Sequence, residues 1–135
     1  MNLRFINARL IDPETGRDEI GELTTSSGVI TSNSTQGIDN KKNQFRGETS
    51  GAKQIIDCGG KCLAPGIIDI GVKVCEPGER HKESYRSAGL AAAAGGVTTM
   101  VTRPDTSPAI DSPEVLEFVR RRANEAAPVN VLVMA

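Results

Sequence analysis

The sequence predicts an α/β fold in two segments, a small β-rich start and then strands alternating with helices. Three observations predict it. Short strand-like runs broken by turn residues occupy the positions before Gly59-Gly60. After those glycines come three apolar runs of strand length, LAPGIIDIGVKV at 63–74, VTTMVT at 97–102 and VNVLVM at 129–134. Between them lie two stretches of helical composition, each with its own stop signal.

Taken in order, the run at 3–11 ends in Asp12-Pro13-Glu14-Thr15-Gly16, a strong turn signal. Residues 18–23 and Val29-Ile30 form further short strands around Ser26-Ser27-Gly28. Residues 31–53 are mostly Ser, Thr, Asn, Gln, Gly and Lys, too polar to order themselves, and predict an exposed loop or disordered insertion. QIIDC at 54–58 is strand-like again, so the first segment spans 1–62 and the second 63–135. In the second, 63–74 predicts a strand buried on both faces, and 79–94 a helix stopped by Gly95-Gly96. Asp111-Ser112-Pro113-Glu114 opens another helix with a cap, a proline in the first turn and an acid at the positive end of the dipole. Val115, Leu116, Val119, Ala123 and Ala126 share one face of it, Arg120, Arg121 and Arg122 lie largely off that face, and Pro128 ends it.

Bulk properties exclude several classes. Net charge is −1, so nothing points to nucleic acid or an anionic membrane. No run approaches the roughly 20 apolar residues of a membrane span, and charges interrupt the N-terminus where a signal peptide needs an apolar core. The expectation is a cytoplasmic protein. Cys58, Cys62 and Cys75 match neither a disulfide framework nor a compact zinc motif, and are expected as buried, inert thiols. His81, the single histidine, is expected on the surface at a helix start. Ala91 to Gly96 ends a helix and lacks the lysine of a phosphate loop.

The stretch from Ile55 to Pro113, with the blocks PGIID, EPGERHKE, AAAAGGVTT, PDTSP and the start of IDSPEV in that order, resembles the dihydroorotase branch of the amidohydrolase superfamily. The resemblance implies a small N-terminal β-sandwich segment followed by the first units of a TIM-type (β/α)8 barrel, truncated, with the active site at the C-terminal ends of the strands. In active members the first strand ends in Asp-x-His-x-His-x-Arg-Glu-Pro-Gly. Alternate side chains of a strand point the same way, so two histidines can hold one metal, and the arginine then pairs with the substrate carboxylate. The family uses zinc to activate water and polarise a ring amide.

Here the pattern reads Asp69-Ile70-Gly71-Val72-Lys73-Val74-Cys75-Glu76-Pro77-Gly78. Gly71 and Lys73 stand at the two histidines, Cys75 at the arginine, and Asp105 at the substrate-binding asparagine of Pro-Asn-Thr-x-Pro. Glycine supplies no ligand and a protonated lysine no lone pair, while Asp105 would repel an anionic substrate. No metal and no catalytic residue are therefore predicted in this chain. Lys73 is either a solvated lysine near a strand end or an ammonium in the metal's place, paired with carboxylates from later strands. Cys75 would face a cleft beside it. Glu76 and Asp69 are assigned structural roles, and the Arg120 to Arg122 run reads as a solvated helix face or an interaction patch.

Three functions follow. The first is a dihydroorotase homologue of pyrimidine biosynthesis without activity, a pseudoenzyme that partners aspartate carbamoyltransferase, as degenerate members of the family can, in a homo- or hetero-oligomer. The second is an active cyclic-amide hydrolase with one metal held by later strands. The third is a noncatalytic small-molecule binder. Three parallel strands with both edges open leave apolar surface and unpaired backbone, so the chain is expected to be a fragment, a truncated product or one segment of an assembly.

Overall fold

The structure, a computed structural model, describes residues 2–35 and 54–135. It separates into two compact units, Met1–Pro65 and Gly66–Ala135. The first holds β1 (Leu3–Asp12), β2 (Arg17–Ser26), β3 (Val29–Thr35), β4 (Gln54–Asp57) and β5 (Cys62–Leu63). The second holds β6 (Ile67–Val72), α1 (Tyr85–Ala94), β7 (Val97–Thr102), α2 (Pro113–Ala126) and β8 (Asn130–Val133). Among the described residues, no helix is long and apolar enough to cross a membrane.

In the first unit the strands form one sheet, in the order β3-β2-β1-β4, with β5 also on β1. β4 pairs with Leu3 to Ile6 and β5 with Arg9 and Leu10, so both extend the same side of β1. The expected sandwich is thus a single mixed sheet among the described residues, because both late strands lie along one edge instead of starting a second layer. Asn7 makes the step between the two pairings. It adopts φ 54° where the register of β1 shifts between Phe5 and Ala8, and its side-chain amide donates to Asp57 at 3.0 Å.

Asp12 organises the first hairpin by accepting from the Glu14 N–H and the Thr15 hydroxyl, at 3.0 and 2.8 Å. Ser27 and Gly28, both at positive φ, make the two-residue turn of the second. Arg4 reaches Glu22 and Arg9 reaches Asp18 across the sheet, the latter through two bonds of 2.6 Å. The polar composition from residue 31 onward predicts a loop, but 31–35 belong to β3. Pairing to β2, from Ser26↔Val29 to Gly21↔Thr35, supplies the order that these side chains cannot. The rest of the expected loop lies outside the described residues.

The second unit is a parallel β-α-β-α-β, with sheet order β6-β7-β8. Its core is Val74, Tyr85, Ala88, Met100, Ile110, Val119 and Ala123. β6 is not buried on both faces as its apolar run predicts. Ile68 and Ile70 are 61% and 72% exposed, and Ile70, Val101 and Leu132 form one row across the sheet. Met100, pointing the other way, is buried with residues of the two helices. Within this unit no element covers the opposite face.

The first helix begins at Tyr85, six residues later than its composition suggests. Ser84 is its cap, accepting from the Ser87 N–H while the Ser87 hydroxyl accepts from the Ser84 N–H. Residues 79–83, His81 among them, form turns ahead of the cap. Gly89 is the tight position, where a Cβ would come within 2.7 Å of Pro128. The second helix starts as its sequence predicts, with Ser112 as cap, Pro113 in the first turn and Val119 and Ala123 buried.

Gly21 is the tightest point of the first sheet, because a Cβ there would lie 2.3 Å from the Ser34 carbonyl oxygen, a backbone atom. Gly21→Ala is therefore expected to loosen the β2–β3 pairing, read as faster amide hydrogen exchange in β3 and a lowered melting temperature. Unchanged exchange in β3 would contradict the close approach.

Candidate functional site

The positions that resemble the dihydroorotase metal motif gather at the C-terminal ends of β6 and β7. Gly71 is at φ 92°, where the β6–β7 register shifts between Ile70 and Val72. A left-handed bulge there breaks the regular alternation that would align positions 71 and 73 as a pair of ligands. β6 ends at Val72, so Lys73 lies one residue beyond the strand. From Lys73 onward the chain alternates outward and inward: Lys73 exposed, Val74 buried, Cys75 half-buried, Glu76 buried.

Lys73 and Asp105 meet. The ammonium Nζ lies 3.1 Å from Asp105 Oδ2, and Arg103 Nη2 lies 2.9 Å from the same oxygen. Lys73 is half-exposed, as is Arg103. The partner of Lys73 is therefore within this chain, on the loop after β7. Backbone contacts draw the two loops together as well. The Arg103 N–H donates to the Val72 carbonyl at 2.9 Å, the Ser107 N–H to that of Pro77 at 3.4 Å, and a Cβ on Gly78 would lie 2.3 Å from the Ser107 carbonyl oxygen. The Lys73 ammonium holds the Asp105 carboxyl below its ordinary pKa, with Arg103 acting in the same direction.

These residues do not fit a zinc ion. Gly71 offers no donor, and the Lys73 ammonium presents protons to Asp105 where a ligand would present a lone pair. Among the described residues no group of three or more His, Cys, Asp or Glu side chains is placed to hold a metal.

Behind this surface lies a buried carboxylate. Glu76 is 3% exposed. Its Oε2 accepts from the Tyr85 N–H at 3.1 Å, at the start of α1, and its Oε1 accepts from Arg122 Nε at 3.0 Å, from α2. Arg80 stands 3.7 Å from the same Oε1. The structural role expected of Glu76 thus has its partners, and Arg122 corrects the reading of the Arg120 to Arg122 run. Arg120 and Arg121 are exposed, but Arg122 turns inward because it answers a buried charge. Tyr85 is buried beside this pair, and burial pushes its phenol up.

None of the cysteines is buried. Cys58 and Cys75 are half-buried and Cys62 is exposed, since each lies at the end of a strand or turn instead of on an inward face. His81 is exposed, in the turn before α1. A cleft beside β8, lined by Thr99, Asn124, Pro128, Asn130 and Leu132 among others, has no titratable lining residue and so no acid–base chemistry. Two contributors to the site escape a reading of the sequence. Arg103 carries a local signal, a cation two residues from Asp105. The Glu76–Arg122 pair carries none, its members lying 46 residues apart.

Comparison with known proteins gives the family and the fold. A family model described as dihydro-orotase-like matches residues 60–135. The chain belongs to the dihydroorotase-like family. It is 44% identical over 129 residues to the dihydroorotase of Wolbachia sp. subsp. Drosophila simulans (strain wRi), covering 96% of this chain and 27% of that protein. The dihydroorotase of Ehrlichia canis (strain Jake) is 41% identical over 128 residues, covering 94% and 27%. In fold, the L-hydantoinase of Arthrobacter aurescens superposes with a TM-score of 0.77 at 20% identity, over 97% of this chain and 27% of its own. This dihydroorotase-like chain spans about a quarter of the length of such relatives.

Two outcomes follow from these contacts. Replacing Lys73 with Met is expected to raise the Asp105 pKa toward the ordinary aspartate value, followed by carboxyl NMR. A depressed folded pKa contributes stability above the unfolded value, and that stability is lost as pH falls through the lower folded one, so the variant loses the contribution at neutral pH. An unmoved Asp105 titration would contradict the pair. Arg122→Met leaves Glu76 buried with only the Tyr85 N–H and the more distant Arg80, and is expected to lower stability by about 2–3 kcal/mol in denaturant unfolding. That is less than for a fully buried pair because Arg122 is 24% exposed. A loss under about 0.5 kcal/mol, the range of an ordinary surface change, would place the anchor elsewhere.

Proposed function

We propose that this chain is the opening of a dihydroorotase-like (β/α)8 barrel in pyrimidine biosynthesis whose first-strand site is catalytically silent, and that the protein acts as a noncatalytic partner of aspartate carbamoyltransferase. One observation carries the silent reading: Lys73 and Asp105, two altered positions of the resembling motifs, are joined in an ion pair. Each change alone would leave a charge in the wrong place. Together they neutralise one another and occupy the mouth of the first two strands. Gly71 supports the same reading, since its left-handed φ disfavours any side chain at the first ligand position.

The barrel rests on the order of the second unit. Successive parallel strands joined by helices, with one face packed against those helices and an uncovered row of Ile70, Val101 and Leu132 on the other, suit a sheet that further strands would curl around. Partnership with the carbamoyltransferase comes from the family resemblance. The physical argument for it is that a barrel can lose its metal and still keep its outer helices as a docking surface.

The test is made on the protein purified without chelators. Expected are no stoichiometric zinc, no ring-opening of dihydroorotate with or without added zinc, and co-purification with aspartate carbamoyltransferase. Stoichiometric metal with turnover would overturn the silent site. Absence of a complex would overturn the partnership alone.

A further inference from the structure

We propose that Glu76 ties α2 to the mouth of β6 and β7, so that Arg122 is a positioning residue for the Lys73–Asp105 ion pair and a shift of α2 is felt there. Resting on the silent-site reading, this coupling names what holds the altered site in place. Only Val74 and Cys75 separate Lys73 from Glu76, and Val74 is as buried as Glu76 itself. The stem of Lys73 therefore goes where the buried carboxylate is held. That place is set by the Tyr85 N–H of α1 at 3.1 Å and by Arg122 Nε of α2 at 3.0 Å.

Asp105 is fastened to the same helix. In its loop the Ile110 N–H donates to the Pro104 carbonyl at 3.1 Å, Ile110 enters the core, and Ser112 caps α2. The two loops also meet directly, through the 3.4 Å bond from the Ser107 N–H to the Pro77 carbonyl and the close approach of Gly78 to Ser107. Lys73 and Asp105 thus reach one another from loops that are both held by α2, one at its start and the other through Arg122.

An exposed ion pair has little strength of its own and costs side-chain entropy to keep formed. Lys73 and Asp105 are 52% and 38% exposed, so where their stems are held decides how well the charges meet. Because Lys73 holds the Asp105 carboxyl below its ordinary pKa, Asp105 reports the position of the loop. Without Arg122, Glu76 keeps the Tyr85 N–H and the exposed Arg80, which draws the carboxylate outward and away from α2.

The test is the Asp105 titration of the purified protein, followed by carboxyl NMR, in two variants that remove charges of opposite sign. A field acting through space would move Asp105 in opposite directions, up on losing the Arg122 cation and down on losing the Glu76 anion. Positioning moves it one way. Expected in both Arg122→Met and Glu76→Gln is a rise toward the ordinary aspartate value, with several-fold faster exchange of the Tyr85 and Ser107 amides. In the double variant Lys73→Met/Arg122→Met, the Arg122 change should add little, since the pair it positions is gone. Arg121→Met, altered at the cation over the Phe118 ring, and Gly21→Ala, which loosens the first sheet, should leave Asp105 where it is.

A fall in Glu76→Gln, an unmoved Asp105 in Arg122→Met, or an undiminished Arg122 effect in the double variant would each overturn the coupling. The double variant keeps the test decisive even if Glu76→Gln does not fold. Any of these results leaves the silent-site reading standing. Stoichiometric zinc with turnover would remove that reading and the coupling with it.

Discussion

Taking a carboxylate out of water costs several kcal/mol unless other groups replace its hydration, and Glu76 is the place where this dihydroorotase-like chain meets that demand. Its two oxygens take the first N–H of α1 and the guanidinium of Arg122 in α2, so the loop after β6, the start of one helix and the side of another share a single buried charge. Val74, two residues earlier, and Tyr85, nine later, enter the same core. The loop is thereby pinned between fixed points. What lies on its outer side, Lys73 above all, is held on a base that cannot drift far.

On that base the chain presents a changed surface. A site built for a metal needs lone pairs that converge, whereas here one position has no side chain and the other carries an ammonium. A lone positive charge beside a strand end would attract any passing anion, and a lone Asp105 would hold an excess of negative charge. Their pairing, with Arg103 on the same oxygen, settles both within one cluster and leaves it cationic. The stabilisation from such an exposed, salt-screened group is small.

Burial is uneven across the second sheet. Met100 and Thr102 point to the helical side and are buried, while Thr99 and Val101 between them are half-buried and Ile68 and Ile70 of β6 are exposed. An apolar run can therefore be correctly read as a strand and still have its burial misjudged. Hydrophobicity records the environment a strand is suited to, and neighbours decide whether that environment is present.

Much of the architecture follows from local rules and was legible in the residues alone. Asp12 to Gly16 form a turn, Ser112-Pro113-Glu114 open a helix, Gly95-Gly96 close one, and strands alternate with helices after Gly59-Gly60, since each signal acts over a few residues of backbone. Gly71, Lys73, Cys75 and Asp105 were singled out in the sequence through its resemblance to the family's motifs, which is read along the chain in one dimension. Only the tertiary structure decided what those residues touch. The pairing of Lys73 with Asp105 spans 32 residues and that of Glu76 with Arg122 spans 46. The start of α1 was decided in the same way, by a cap and a buried carboxylate that outweighed helical composition. So was the order of residues 31–35, by pairing to β2. Charges and backbone groups find partners in space, and a sequence lists them without saying which will meet.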